Sequence, residues 1–411
     1  MSVLYNFLVS VSWFFIRSIS FANPKLGLFV TGRQRTYGIL ERTITKSDKV
    51  IWVHAASLGE YEQGLPIMER LKKEYPSHKL LLTFFSPSGY EVKKDTTVAD
   101  VVAYLPLDTK KRVGKFLGLA HPELAIFVKY EIWPNYLNAL NDRNVPTLLI
   151  SSLFKEHQVY FKPYGGFMRK ALSKFSYFYV QDENSKRLLN SIALTNVTVA
   201  GDTRLDRVSE ILDRDNSLSF MENFKQDKLC FIAGSTWPED EKVMIDFINN
   251  SDRNLKFVIA PHNIKKEHSN TLKASLEKPT LLYSHLADNN VQDFDVLLID
   301  TVGLLTKIYS YGDIAYVGGA FATGLHNTLE PAVFGMPVII GPNYSGFIEA
   351  EKLVELGGVL PVQNEKEFSN TMNNLLNNTP LLQKTGGINV NYILNNKGAS
   401  IQIMDHIRTL L

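Results

Sequence analysis

Residues 313–343 read DIAYVGGAFATGLHNTLEPAVFGMPVIIGPN. An apolar run of Ile314, Ala315, Tyr316 and Val317 ends on the pair Gly318 and Gly319. A polar segment then opens a helix at Asn327, and a second apolar strand spans 336–340. Strand, glycine turn, helix and strand in that order describe a unit of a parallel sheet, whose helix starts at the carboxyl ends of the strands. Free amide N–H groups and the helix dipole make that end a place for phosphate. Glu330, one turn into the helix, would repel a phosphate but can accept from the paired hydroxyls of a ribose. The stretch therefore reads as a site for a nucleotide held by its sugar and its phosphate.

Outward from this unit the same alternation recurs. In the C-terminal half, apolar runs at 229–233, 255–260 and 296–299 precede the quoted pair. In the N-terminal half they fall at 50–53, 80–85, 101–105, 124–128, 147–150, 177–180 and 197–200, separated by helical patterns such as 61–73 and 182–192. Short runs rich in Val, Ile, Leu and Phe are strands covered on both faces. The chain of 411 residues suits two domains of about 200 residues each. The fold class is α/β, with a doubly wound Rossmann-like domain over 30–205, a polar connection over 206–227 and a second such domain over 228–411. This arrangement resembles the GT-B glycosyltransferases, in which the site lies in a central cleft that the two domains face. No short-period repeat is present, which disfavours solenoids and propellers.

Composition narrows the partners. The net charge of +2 is nearly balanced, so nucleic acid is not an expected partner. The single cysteine, Cys230, sits in the run Leu229 to Ile232 and reads as a buried, inert thiol. A disulfide framework or cysteine-rich metal site is excluded, in keeping with a reducing compartment. Residues 1–22 stand apart: Val3, Leu4, Phe7, Leu8, Val11, Phe14 and Phe15 recur at helical spacing. Asn6, Ser10 and Ser12 interrupt the run, which falls short of the roughly 20 apolar residues of a bilayer span. It also lacks a basic start and a small-residue cleavage site. With Arg17, Lys25, Arg33 and Arg35 alongside, it reads as a helix lying at, or dipping into, an anionic cytoplasmic leaflet. Packing on its own domain is the alternative.

Several strand ends carry polar side chains suited to chemistry. In VHAASLGEYEQG (53–64), Glu60 follows Gly59, which lets backbone approach a substrate, and its carboxylate can remove a proton from an attacking hydroxyl. Ser57 and Glu60 also have the spacing of a capping box, and His54 reads as a hydrogen-bonded residue near the core. FFSPSGYE (84–91) offers Ser86 and Ser88 as substrate donors or as an ordinary helix cap. KYEIWPNYL (129–137) places Glu131 beside Trp133, either a site pair or a packing aromatic. In GDTRLDR (201–207), Arg204 either neutralises a leaving phosphate or pairs with Asp202 or Asp206. In AGSTWPEDE (233–241), Gly234, Ser235 and Thr236 suit an anion at a helix start, and Pro261 and His262 follow the next strand, where a base or ribose could rest.

The segments WVHAASLGE, FFSPSGYE, YLPLD, KYEIWPN, GDTRLD, AGSTWPEDE, the pair Asp300 and Thr301, and YVGGAF with LHNTLEPAVFGMPVIIGP occur in order along the chain. In content, order and spacing they resemble the Kdo (3-deoxy-D-manno-octulosonic acid) transferase family of lipopolysaccharide synthesis, from about Gly32 to the end. The resemblance implies metal-independent, inverting transfer of Kdo from CMP-Kdo to the 6'-hydroxyl of a lipid A precursor, lipid IV-A. It implies no cofactor and places the protein at the cytoplasmic face of the inner membrane, held through its N-terminus. Glu60 takes the place of the family's proton acceptor, and Glu131 and Arg204 that of its transition-state pair. CMP contacts carry over to Pro261 and His262, to Val302, Gly303 and Leu304, and to Asn327, Thr328, Leu329 and Glu330. The chain departs from the pattern in four places. Arg204 replaces a usual Lys, Val302 to Leu304 replaces Met-Gly-Glu, Leu325 replaces a glycine, and Ser345, Gly346 and Phe347 replace an Asn-Phe ending. A GT-B enzyme for another nucleotide sugar, or a non-catalytic nucleotide-sugar-binding membrane protein, are the alternatives.

Overall fold

The computed structural model describes residues 2–251 and 254–411. It resolves into two compact units, residues 1–206 with 397–411, and residues 207–396.

The first unit is built on a seven-stranded parallel sheet. Its strands are β1 (Lys49–Ala55), β2 (His78–Phe84), β3 (Val101–Tyr104), β4 (Leu124–Val128), β5 (Thr147–Ser152), β6 (Tyr177–Val180) and β7 (Val197–Val199), in the order β3-β2-β1-β4-β5-β6-β7. Alternate residues of each strand feed opposite faces, so Val50 and Trp52 join one apolar core while Ile51 and Val53 join the other. Phe127 and Ile126 of β4 divide in the same way. Burial on both faces explains the continuous apolar runs, and each such side chain contributes about 1.5–3 kcal/mol. The order reverses direction at β1 and β4, which makes their carboxyl ends the crevice of an open sheet.

The helices of this unit include α1 (Ser2–Ile19), α2 (Pro24–Thr43), α3 (Leu58–Glu74) and α4 (Pro87–Lys93). One face of α1 rests on the unit: Val9, Trp13 and Ile16 pack against Phe29, Val30 and Leu107, and the Tyr5 hydroxyl donates to Asp108 at 2.9 Å. The other face leaves Val3, Phe7, Phe14, Phe15 and Ile19 exposed. By length and composition alone α1 is apolar enough to cross a membrane.

The second unit repeats the plan with β8 (Leu229–Thr236), β9 (Leu255–Pro261), β10 (Thr280–Leu282), β11 (Val296–Leu298), β12 (Ile314–Val317), β13 (Val338–Ile340) and β14 (Val359–Pro361). Their order is β10-β11-β9-β8-β12-β13-β14, with the reversal at β8 and β12.

Two sequence expectations need correction here. The stretch 206–227 is not bare connection, because it holds part of the helix Thr203–Ser209 and the helix Ser219–Lys225. Residues 397–411 belong with the first unit and not with the stretch 228–411. The helix Ala399–Leu410 buries Ile403, Met404 and Ile407 in the core that also holds Leu65 and Met68 of α3. Asp206 accepts from the amides of Gly398 and Ser400 at its start. That is the usual stabilising place for a carboxylate.

Candidate active site

In the first unit, the turns after β1, β2, β4 and β7 carry the residues singled out in the sequence. Ser57 is the N-cap of α3, yet its side chain makes no capping bond to backbone. Its hydroxyl donates instead to Glu60 Oε2. The capping box is therefore not formed, and Glu60 has that hydroxyl as its hydrogen-bond partner. A Cβ on the exposed Gly59 would meet only Ser57 Oγ, at 3.7 Å, so the space beside Glu60 is open.

Glu131 is differently held. Its Oε2 accepts from Trp133 Nε1 at 2.8 Å and from His54 Nε2 at 2.9 Å. His54 is fully buried, and its Nδ1 lies 2.9 Å from Thr83 Oγ1 and 3.0 Å from Thr83 O. Trp52 Nε1 donates to the same Thr83 hydroxyl at 2.8 Å. An ionised carboxylate only accepts, so Nε2 carries the proton, and the Thr83 hydroxyl can donate to Nδ1 of a neutral ring. Trp133 stacks on Phe85 with ring centroids 5.0 Å apart. A chain of bonds from the core thus fixes one carboxylate, while the other is left open.

Ser86 caps α4, and its hydroxyl lies 2.9 Å from that of Ser88. The Ser86 amide donates to Ala56 O at 2.7 Å, which ties this turn to the one bearing Glu60. Gly89 is required here, since a Cβ would stand 2.6 Å from the Phe84 ring and 3.1 Å from the Ser57 backbone.

Arg204 pairs with Asp202, with Nε 3.1–3.2 Å from both carboxylate oxygens and Nη2 2.7 Å from Oδ2. Burial alone would raise the Asp202 carboxyl, but the Arg204 charge and its hydrogen bonds hold it below the ordinary value. Gln63 of α3 donates to Asp202 Oδ2 at 3.1 Å, which ties the β7 turn to the helix bearing Glu60.

In the second unit, the glycine pair after β12 lies against the β8 turn. A Cβ on Gly318 would come within 2.4 Å of Ser235 O and 2.7 Å of Thr236 Cα, so only glycine fits. Ser235 itself has φ +55° and Gly319 φ +98°. Behind them the buried Asp240 ties three elements together. It accepts from the amides of Gly319 (2.8 Å) and Trp237 (2.9 Å) and from Tyr316 Oη (2.7 Å). Above the turn three rings form a ladder: Trp237 on His262 and His262 on His326, each pair 4.7 Å apart. Trp237 Nε1 donates to His326 Nε2 at 3.3 Å. Burial first, and then the neighbouring His262, lower the His326 pKa, which favours this accepting neutral ring.

The polar helix starts differ from the sequence reading. The helix after β12 begins at Leu329, not Asn327, and is the single turn Leu329–Ala332. The Asn327 side chain accepts from the Leu329 amide at 3.1 Å, occupying a donor a phosphate would need. Thr328 and Leu329 are both buried. After β8 the helix begins at Pro238, beyond Ser235 and Thr236, with Glu239, Asp240 and Glu241 in its first turn. Those carboxylates oppose an anion at that end. Glu330 is poised as an acceptor: Oε1 takes Asn327 Nδ2 at 3.1 Å and Oε2 takes Thr306 Oγ1 at 2.9 Å. Thr306 lies just past the turn of Val302, Gly303 and Leu304, where Val302 is exposed and Gly303 has φ +89°. Pro261 ends β9, with His262 exposed beyond it.

Sequence reading missed Thr83, Gln63, Asp240 and the ring ladder. The segment 233–241 contains Asp240, but nothing local shows that its partners are Gly319 and Tyr316.

Two parallel seven-stranded α/β units, each with polar residues at its switch point, define the GT-B fold. Among solved structures, UDP-GlcNAc 2-epimerase from Neisseria meningitidis matches at TM-score 0.61 and 17% identity over 88% of this chain and 100% of that one. Acinetobacter baumannii MurG matches at TM-score 0.55 and 11% identity over 88% and 99%. At such identities the likeness concerns fold alone. The profile of the 3-deoxy-D-manno-octulosonic-acid transferase (kdotransferase) family matches residues 31–207. The 3-deoxy-D-manno-octulosonic acid transferase of Haemophilus influenzae is 28% identical over 97% of this chain and 95% of its own length. That of Aquifex aeolicus is 29% identical over 79% and 86%. The chain is thus similar to Kdo transferases along most of its length, and it is a glycosyltransferase.

Proposed function

We propose that the protein transfers Kdo from CMP-Kdo to the 6'-hydroxyl of a lipid A precursor, lipid IV-A, with inversion and without a metal ion. The observation that carries this reading is the contrast between two carboxylates of the first unit. Glu131 is bound by two ring N–H donors, whereas Glu60 is met by one hydroxyl beside open space. A group that must take a proton has to be reached by the hydroxyl that gives it, and the open space beside Gly59 supplies that access at Glu60.

In this mechanism the acceptor hydroxyl gives its proton to Glu60 as its oxygen bonds to the anomeric carbon. The bond from that carbon to the phosphate oxygen breaks on the opposite face, and CMP departs with the electron pair. Glu131 and Arg204 stabilise the charge that develops; Arg204 does so from a guanidinium already anchored on Asp202. CMP is held by Pro261, His262, the turn Val302 to Leu304, and Asn327 to Glu330, with Ser235 contributing from the β8 turn, whereas Thr236 is buried and donates to Glu241 Oε1 at 2.9 Å. Glu330 exchanges the Thr306 hydroxyl for those of the ribose. The exposed face of α1 lies on the cytoplasmic leaflet of the inner membrane.

The test is Glu60→Gln, assayed by mass spectrometry of products from CMP-Kdo and a tetraacylated lipid A precursor. Loss of transfer by at least about 100-fold with CMP binding intact is expected for a general base. Transfer at the wild-type rate would remove Glu60 from that role, and tighter binding of UDP than of CMP would overturn the donor assignment.

A further inference from the structure

We propose that the cavity at the root of α1, framed by Arg17, Arg33 and Arg112, binds the phosphate group of a membrane phospholipid. This rests on the reading that α1 lies on a membrane and names the headgroup chemistry of that contact. The cavity measures about 220 Å³ and is lined by the three arginines with Trp13, Tyr37 and Leu107.

Its charge is unbalanced. Arg33 is 4% exposed, yet it donates only to carbonyls, Nη1 to Phe29 O at 3.1 Å and Nη2 to Phe85 O at 2.7 Å. Its buried Nε has no hydrogen-bond partner. The guanidinium lies 3.5 Å from the Phe29 ring centroid and 4.6 Å from that of Phe85, a setting that supplies no full negative charge. Burial pulls its pKa down to about 9, the direction expected of a cation without an anion. Arg112 lies over the Trp13 ring at 5.2 Å. Among the described residues none of the three arginines forms an ion pair with a carboxylate. Asp108, beside the lining residue Leu107, does not fill the role. Its oxygens accept from the amides of Asn135 and Tyr136 and from the Tyr5 hydroxyl.

Three arginines lining one cavity offer donors to phosphate oxygens, and a buried cation gains most from such a partner. The lipid source is argued from the surroundings. Trp13 and Tyr37 are the aromatic types that settle at headgroup depth, and Arg17 shares its helix with the exposed Phe14, Phe15 and Ile19. The exposed Phe14, next to Trp13 in the chain, would meet the acyl chains of a lipid whose phosphate is seated among the arginines.

Calorimetric titration of the full chain with short-chain dihexanoyl phosphatidylglycerol tests the site. The double variant R17Q/R112Q is compared with K25Q/R35Q, which removes the same charge from residues that do not line the cavity. Arg33 is left in place because it is buried. Saturable binding by wild type and K25Q/R35Q, weakened at least about 10-fold in R17Q/R112Q, is the expected result. Absence of saturable binding by wild type, or equal binding by the two variants, overturns the site. Inorganic phosphate binding as tightly as the lipid overturns the lipid assignment. Cosedimentation of wild type and F14S/F15S with phosphatidylglycerol vesicles reports separately on the membrane reading, so either can fail alone.

Discussion

The Nε2 nitrogen of His54 donates to Glu131 Oε2 at 2.9 Å, which joins a fully buried side chain on β1 to the carboxylate beyond β4. His54 is itself anchored by Thr83 on β2, so three adjacent strands set the position of one carboxylate oxygen. A carboxylate placed in this way loses little orientation freedom when charge develops beside it.

His54→Phe should therefore act as a positioning change. Glu131 keeps the Trp133 donor and loses the other, and the Thr83 hydroxyl loses its imidazole. Stability should fall by about 1–3 kcal/mol, measured by urea unfolding. The rate at saturating substrates should fall on the order of 10-fold with the KM for CMP-Kdo little changed. An unchanged rate would mean that Glu131 needs no such support.

Two glycines of the second unit should respond in opposite degree to alanine. At Gly318 the added Cβ lands on the Ser235 and Thr236 backbone, which cannot yield by rotating a side chain. Gly318→Ala should cost upwards of about 3 kcal/mol and abolish nucleotide binding. Gly303, with φ +89° and nothing within 4 Å of an added Cβ, should cost only about 1–2 kcal/mol as alanine. Unfolding of the two variants side by side distinguishes contact from backbone strain.

Asp108 predicts a pH dependence of stability. Burial raises its carboxyl from 3.8 to about 6, against the hydrogen bonds from Asn135, Tyr5 and Tyr136. Because the folded value lies above the unfolded one, the native protein binds this proton more tightly in the window between them. Stability should fall as pH rises from about 4 to about 6, by the order of 3 kcal/mol, and level off above. Unfolding free energies across that window should show the slope, and Asp108→Asn should remove it.

How much was legible in the chain depended on how local each cause was. Strands such as β1 and β12 were readable because burial on both faces forces a continuous apolar run. The edge strands β10 and β14 were not read. The helix at 327 was placed early because Asn327, Thr328 and Leu329 look like a helix start. In fact the Asn327 side chain occupies the Leu329 amide, and the helix lasts one turn before Gly335 with φ +75°. Glu60, Glu131 and Arg204 stand at strand ends and could be singled out, but their supports could not. Gln63 reaches Asp202 across 139 positions, Asp240 reaches Gly319 across 79, and Thr83 reaches His54 across 29. The C-terminal helix was assigned with the second domain because nothing in its own sequence names the core it joins.

Arg204 supplies the sharpest test of charge against geometry. Its guanidinium lays Nε and Nη2 on the Asp202 carboxylate, and Gln63 donates to that carboxylate from α3. A lysine keeps the charge but offers a single ammonium in place of the planar fork. If charge is what the reaction needs, Arg204→Lys should keep transfer within about 10-fold of wild type, whereas Arg204→Gln should lose about 100-fold or more. Gln63→Leu separates the anchor from the charge: Asp202 loses one donor while Arg204 keeps its partner, so the rate should fall only a few-fold. Steady-state rates for the three variants decide the matter. A lysine variant as slow as the glutamine variant would show that the fork on Asp202, and not the positive charge alone, is what the chemistry requires.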